Sequence, residues 1–479
     1  MTSPVNLTSA DFLAQLETVI RQFDYYHYPN ENMPRHHWKQ LVDAGVYLPV
    51  IPRALGGRES HLELCEISRL AGYHNLALGL FLMTPLSIFT RTLVHFGSPE
   101  LQQEVIHHLL TQAHIGGFAV IDPDAPSGAT TMHTLWEKTS EGYHIHGRKH
   151  WQGYSHTADW WLIVAKDQAN GTAGDKVDFF ICKRSDGFNT TETFYPMGMR
   201  LIDFGINEVS AVVPEHNKLA IANSSFTELL GLITGGWGQW SAMATGFLTR
   251  IYEEANRFTS NRLTRAGHLK DLGFVRYKLG LIGAYRDACS ELFTYVKEQT
   301  DIQDKYPREM FPIQAIKAVT SDYMYLGANE YLELCGAEGY RYSAASNFAA
   351  QAMSDARGFS ILGGANDLLY SQLPQYCLQS PAAEGKGDFL EILENYAHTR
   401  EALHHLGSNR HLLKQIPSGN LQLVFYGKIL ARLFTLQLLE GSNLTPALSE
   451  AAQACCLAEI IQLLGSFTLA EKIADKSPS

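Results

Sequence analysis

The sequence predicts an α+β chain that is mainly α. It has a helical N-terminal domain, an antiparallel β middle domain, a C-terminal helical domain and an extra helical appendix. Three observations predict this. From Ser9 the apolar residues Phe12, Leu13, Leu16, Val19, Ile20 and Phe23 recur at helical spacing. Near Ile115 the pattern changes to short runs rich in β-branched and aromatic residues, several alternating with period two, such as DWWLIVAKD and NEVSAVVP. From about Ser224 long helical stretches return.

The elements follow in order. Ser9 is the expected cap of the first helix. Ser98-Pro99-Glu100 gives the order of cap, first-turn proline and first-turn acid that starts another helix. Residues 1–114 form the N-terminal domain and residues 115–222 a small β sandwich or barrel. Glu141-Gly142 marks a hairpin turn within it. Residues 223–377 form the second helical domain. Residues 378–388, LQSPAAEGKGD, are small and polar and read as a linker. Residues 389–479 form the appendix, whose LQLVFYGKILARLFTLQLLEG is amphipathic to fully apolar and packs on a helical neighbour.

Composition narrows the function classes. A net charge of −11 argues against nucleic acid and anionic membranes as main partners. The seven cysteines are scattered without CxxC spacing, which fits a reducing, cytoplasmic setting and neither disulfides nor structural zinc. The N-terminus carries no basic segment followed by an apolar run, so no signal peptide is expected. LALGLFLMTPLSIF is short and interrupted by a proline, and reads as a buried helix rather than a membrane span. His144 and His146 share a strand face, but no third ligand is spaced to help, so no metal is expected. The same holds for His398, His404, His405 and His411. GLITGGWG lacks the order of a phosphate loop.

Several phrases, in order, resemble the acyl-CoA dehydrogenase family: GFAVIDPDAPSGA, GYHIHGRKHWQGYSHTADWWLIVA, MGMRLIDFGINEVSAVVPEHNKL, NRFTSNR, ELCGAEGY and DARGFSILGGANDLL. The resemblance runs from about Ser9 to Tyr376 and leaves the appendix outside. It implies that residues 223–377 are a four-helix domain. It implies FAD as cofactor, an acyl-CoA or acyl carrier protein substrate, and a homodimer or homotetramer. It also implies that Ser127, Trp151, Arg262, Gly336, Gly364 and Asn366 bind the cofactor.

The family removes the α proton of an acyl thioester with a glutamate. Laid on ILGGANDL, that position is Gly363; the alternative site used by isovaleryl-type relatives falls near Gly236. Neither is an acid. Losing a general base lowers a rate by roughly 10²–10⁴-fold. The backbone N–H of Gly363 still suits the family's second task, polarising the thioester carbonyl. Asp367, one helical turn on, reads as a surface or interface carboxylate; Glu253 and Glu254 read as remote from the flavin. The resemblance also implies losses around the flavin, at Ile121, Gly153, Glu333 and Ala365. Four hydrogen bonds at about 0.5–1.5 kcal/mol each are at stake.

Three readings follow. The first is a flavoenzyme acting on an acyl thioester with a relocated base, in a specialised, biosynthetic role. The second is a flavin-dependent monooxygenase on the same scaffold. The third is a flavin-free scaffold with non-redox chemistry or a protein-binding role.

Overall fold

The structure is a computed structural model, and describes residues 3–28, 31–123, 132–170, 176–222, 226–265, 267–342 and 344–474. The fold is the expected one, helical at both ends with a β middle. The chain forms two compact units. One comprises residues 1–236 and 301–307, the other residues 237–300 and 308–479.

The first unit opens with α1 (Ser9–Ile20), whose Phe12, Leu16 and Ile20 are buried. Its cap is Thr8, which accepts from the Asp11 N–H at 3.2 Å. Ser9 is instead the first helical residue, and its hydroxyl donates to Glu63 at 2.6 Å. Two neighbouring hydroxyls compete for the cap, and the one outside the helix takes it. Helices α2 (Arg35–Asp43), α3 (His61–His74) and α4 (Leu76–Met83) follow, then α5 (Arg91–Phe96) and α6 (Pro99–Thr111). Ser98 caps α6 and accepts from the Leu101 N–H at 3.2 Å. Leu76–Phe96 is long and apolar enough to cross a membrane, but 83% of that stretch is buried in the fold.

Strands β1 (Gly116–Ala119), β2 (Leu135–Thr139), β3 (Gly142–Gly153), β4 (Trp160–Asp167), β5 (Asp178–Lys183), β6 (Phe188–Phe194) and β7 (Phe204–Val213) form a sheet in the order β1-β4-β2-β3-β7-β6, with β5 on β4. The hairpin β2–β3 closes where expected, pairing Thr139 with Gly142, whose φ is +131°. The sheet is mixed rather than purely antiparallel: β1 and β2 both run parallel to β4. Period-two alternation fixes which side chains face inward but carries no information on strand direction.

Helix α7 (Phe226–Asn261) enters the second unit at Trp237. GLITGGWG lies inside this helix. There follow α8 (Gly273–Gln299), α9 (Met310–Cys335), α10 (Ala337–Tyr340), α11 (Ala349–Phe359) and α12 (Asn366–Leu378). The appendix supplies α13 (Phe389–Leu393), a 3₁₀ segment Glu401–Leu413, α14 (Asn420–Glu440) and α15 (Pro446–Ala474). It packs directly on the preceding helices. At Gly427 a Cβ would lie 1.8 Å from the Tyr370 carbonyl, so α14 approaches α12 as closely as only glycine permits. Tyr295 meets Phe434 edge-on at 5.3 Å. Pro446–Phe467 is also apolar enough to cross a membrane, and 17% of its 18-residue apolar window is buried.

Candidate functional site

The Gly363-Gly364 turn joins α11 to α12. Both glycines have positive φ, +64° and +99°. A Cβ at Gly363 would meet Trp240 Cη2 at 3.1 Å, Trp237 Nε1 at 3.5 Å and Trp240 Cζ2 at 3.8 Å. Two indoles therefore back the turn, and both are buried. Neither indole N–H has a hydrogen-bond partner among the described residues. Within those residues the amides of Gly363 and Gly364 also donate to no protein acceptor. Ala365 gives α12 no side-chain cap, and the first N–H of that helix, from Asn366, is taken by Ser360 O at 3.0 Å.

The turn is also held by a buried lysine. Lys317 Nζ donates to the Gly364 carbonyl at 2.6 Å and to Asn366 Oδ1 at 2.9 Å. It lies 5.5 Å from the Trp240 ring. Burial pushes its ammonium down to about 7, against the opposing pull of Asp322. Asn366 is held on its other side, donating to Ala318 O at 3.1 Å and Asp322 Oδ1 at 2.8 Å. Its amide is thus spent on protein partners that fix the turn. The surroundings of the turn offer donors, which stabilise negative charge developing on an oxygen.

Two of the carboxylates weighed as substitutes for a base, Asp367 and Glu254, are engaged elsewhere. Asp367 pairs with Lys428 of α14 at 2.8 Å. Glu254 pairs with Arg257 and lies 3.4 Å from Arg250. Gly236 would place a Cβ 3.3 Å from Met83 Sδ and 3.5 Å from Ile88 Cγ1, within an apolar setting.

Arg262 and Gly336 come together in the second unit. The exposed Arg262 guanidinium reaches Cys335 O at 3.4 Å, and its Nη1 lies 3.6 Å from where a Gly336 Cβ would be. Its remaining donors point to no acceptor among the described residues, which suits a pyrophosphate. Glu333 does not pair with Arg262. Lys278 holds it, and keeps its carboxyl below the usual range. In the first unit Trp151 is half exposed, at φ +52°, with Phe194 at 4.8 Å. Ile121 is also exposed, and Gly153 abuts Ile202. Ser127 lies outside the described residues. His144 is within 3.3 Å of Glu137 and 3.2 Å of Ser210, and His146 is 3.1 Å from Gln168. His404 and His405 converge on Glu440 at the surface of the appendix.

Sequence reasoning missed Lys317, Trp237 and Trp240. A signal existed for the lysine: a single charge in the apolar run FPIQAIKAV must find partners when buried.

A helical front, a β middle and a helical bundle ending in a glycine turn define the acyl-CoA dehydrogenase fold class. The family's N-terminal domain matches residues 11–113 and its C-terminal domain matches residues 237–375. The chain belongs to the acyl-CoA dehydrogenase family. It is 22% identical over 397 residues to the human mitochondrial very long-chain specific acyl-CoA dehydrogenase, covering 77% of this chain and 58% of that protein. It thus spans a little over half the length of that relative. An acyl-CoA dehydrogenase from Bacillus anthracis, solved in complex with FAD, superposes with a TM-score of 0.79 at 16% identity, covering 98% of this chain and 89% of that one. The prolyl acyl carrier protein oxidase AnaB superposes with a TM-score of 0.68 at 18% identity, covering 77% of this chain and 99% of that one.

Proposed function

We propose that this protein binds FAD and oxidises an acyl thioester, carried on CoA or on a carrier protein, as a homodimer or homotetramer in a reducing compartment. The carrying observation is the donor-lined turn at Gly363, whose free amide suits a thioester carbonyl. Polarising that carbonyl acidifies the α carbon. Arg262, beside Gly336, offers the guanidinium that would hold the cofactor's pyrophosphate. When bound, FAD supplies the acceptor for the hydride leaving the β carbon. In this reading the α proton leaves to a base at a position other than 363, because glycine has no side chain to offer. The FAD complex of the Bacillus anthracis protein and the carrier-protein substrate in the name of AnaB support the cofactor and the thioester class.

The test is the absorbance spectrum of the purified protein, followed by anaerobic addition of acyl thioesters. The reading expects flavin bands that bleach with thioester alone. A colourless protein that takes up no added FAD contradicts it. So does flavin that bleaches only with reductase-supplied electrons, the outcome expected of a monooxygenase.

A further inference from the structure

The appendix reaches the Gly363-Gly364 turn through an unbroken chain of buried and part-buried polar contacts. Arg432 of α14 is its hub, a lone charge in the apolar run ILARLF. Its Nε donates to Glu459 of α15 at 2.9 Å, and one Nη to Asp322 of α9 at 2.8 Å. The other Nη donates to the Tyr370 hydroxyl of α12. Tyr370 in turn donates to Asp322 at 2.6 Å. The second Asp322 oxygen accepts from Asn366 at 2.8 Å, and the Asn366 carbonyl accepts from Lys317, which grips Gly364 O. Tyr323 also reaches Glu459 at 3.4 Å. Every side chain along the path sits in the second unit, and Arg432 itself is 5% exposed.

The chemistry of this chain sets what each member can do. Asp322 is an acceptor shared by three donors, from Arg432, Tyr370 and Asn366. Its charge is compensated by Arg432, so its position is set by the guanidinium. Asn366 has one amide, and its two ends are committed to Asp322 and Lys317. Rotating the amide would face its NH₂ to the ammonium and its oxygen to a carboxylate, so Asp322 fixes the orientation. Asn366 also opens α12, and its own N–H closes the turn on Ser360 O at 3.0 Å.

We infer that Arg432 is a positioning residue: the appendix sets the conformation of the Gly363-Gly364 turn through the path Arg432–Asp322–Asn366–Lys317. The appendix is then more than a cover for the bundle. It governs the turn that the proposed reaction uses, and the coupling is a property of the folded chain whether or not cofactor is bound.

Hydrogen–deuterium exchange of the full chain, read by mass spectrometry, tests this in Arg432→Met and Tyr370→Phe. The reporter is the turn itself, where Ile361 and Leu362 donate to Gly358 O and Asn366 to Ser360 O. In Arg432→Met the amides of residues 360–366 exchange about tenfold or more faster, while those of α8 hold their rates. Tyr370→Phe removes two hydrogen bonds, one from Arg432 and one to Asp322, but no charge, and speeds the same segment by about two- to fivefold. Faster exchange confined to α14 and α15, with residues 360–366 unchanged, overturns the inference, since a purely structural Arg432 would loosen only its own helices. If Arg432→Met does not fold, an unchanged turn in Tyr370→Phe overturns it equally. A colourless protein that takes up no added FAD would sink the proposed function but leave this result standing.

Discussion

Two buried lysines show how differently one side chain is used in the two halves of the molecule. Lys149, in the sheet, is fully buried and meets Asp122 Oδ1 at 2.8 Å, Val164 O at 2.8 Å and Val120 O at 3.1 Å. Asp122 is completed by the N–H groups of His133 and Thr134 at 2.6 and 2.7 Å and by the Thr134 hydroxyl at 2.9 Å. Burial works to raise the Asp122 carboxyl, but Lys149 and the Thr134 donors prevail and hold it below its ordinary value. Charge and counter-charge are closed on each other. Lys317 is equally buried, yet touches only neutral oxygens, one of them the carbonyl of the candidate site. The closed pair is a fastener for the sheet. The open one places a buried amine donor on the carbonyl of a turn whose Gly363 and Gly364 amides donate to no acceptor among the described residues.

Breaking each lysine separates the two roles, and the largest effect belongs to the sheet. Lys149→Met strands the Asp122 carboxylate in the interior and costs about 3–5 kcal/mol, read by chemical denaturation. Lys317→Met strands two neutral oxygens and costs about 1–3 kcal/mol by the same measurement. Equal losses would erase the distinction.

The pH dependence sharpens it further. Between about 7 and the ordinary lysine value near 10.4 the unfolded chain holds a proton on Lys317 that the folded chain has released. Stability from this group therefore rises with pH across that window and is lowest below it. Asp122 behaves in the opposite range: its contribution is complete above the ordinary carboxylate value and is lost as pH falls through its depressed one. Denaturation followed from pH 6 to pH 10 should show the stability difference between the parent and Lys317→Met moving in the parent's favour as pH rises, and the same movement between the two in an Asp122→Asn background.

The smallest effect is at the turn. Gly363→Ala forces a side chain into a left-handed conformation and against Trp240, and costs about 1–2 kcal/mol in thermal unfolding. In a Trp240→Leu background Gly363→Ala costs less than in the parent, because the contact is gone and only the backbone strain remains.

The order of helices and strands was legible because apolar periodicity reports burial directly, as in α1 and in the period-two strands. Strand direction was not, since parallel and antiparallel strands share that period. Gly363 and Gly364 were legible as a turn, and the match of neighbouring Asp355, Arg357 and Asn366 placed them. What lay behind the turn was not. Trp237 and Trp240 sit more than a hundred residues earlier in the chain, and nothing in ITGGWGQW says which loop they face. Lys317, Arg432 and Glu459 each stand out as charges in apolar helices. The sequence announces that they need partners and leaves open which, because a pairing across helices is a product of tertiary packing.

The central claim is that the amide of Gly363 holds an activated carbonyl. Infrared difference spectroscopy of butyryl thioester carrying ¹³C at its carbonyl, presented on CoA and on phosphopantetheine-loaded carrier, tests it most directly. The account predicts a carbonyl stretch below that of the thioester in water when bound to the parent, and a return toward the aqueous value in Lys317→Met. A bound thioester whose carbonyl absorbs at its aqueous position in the parent protein would contradict it.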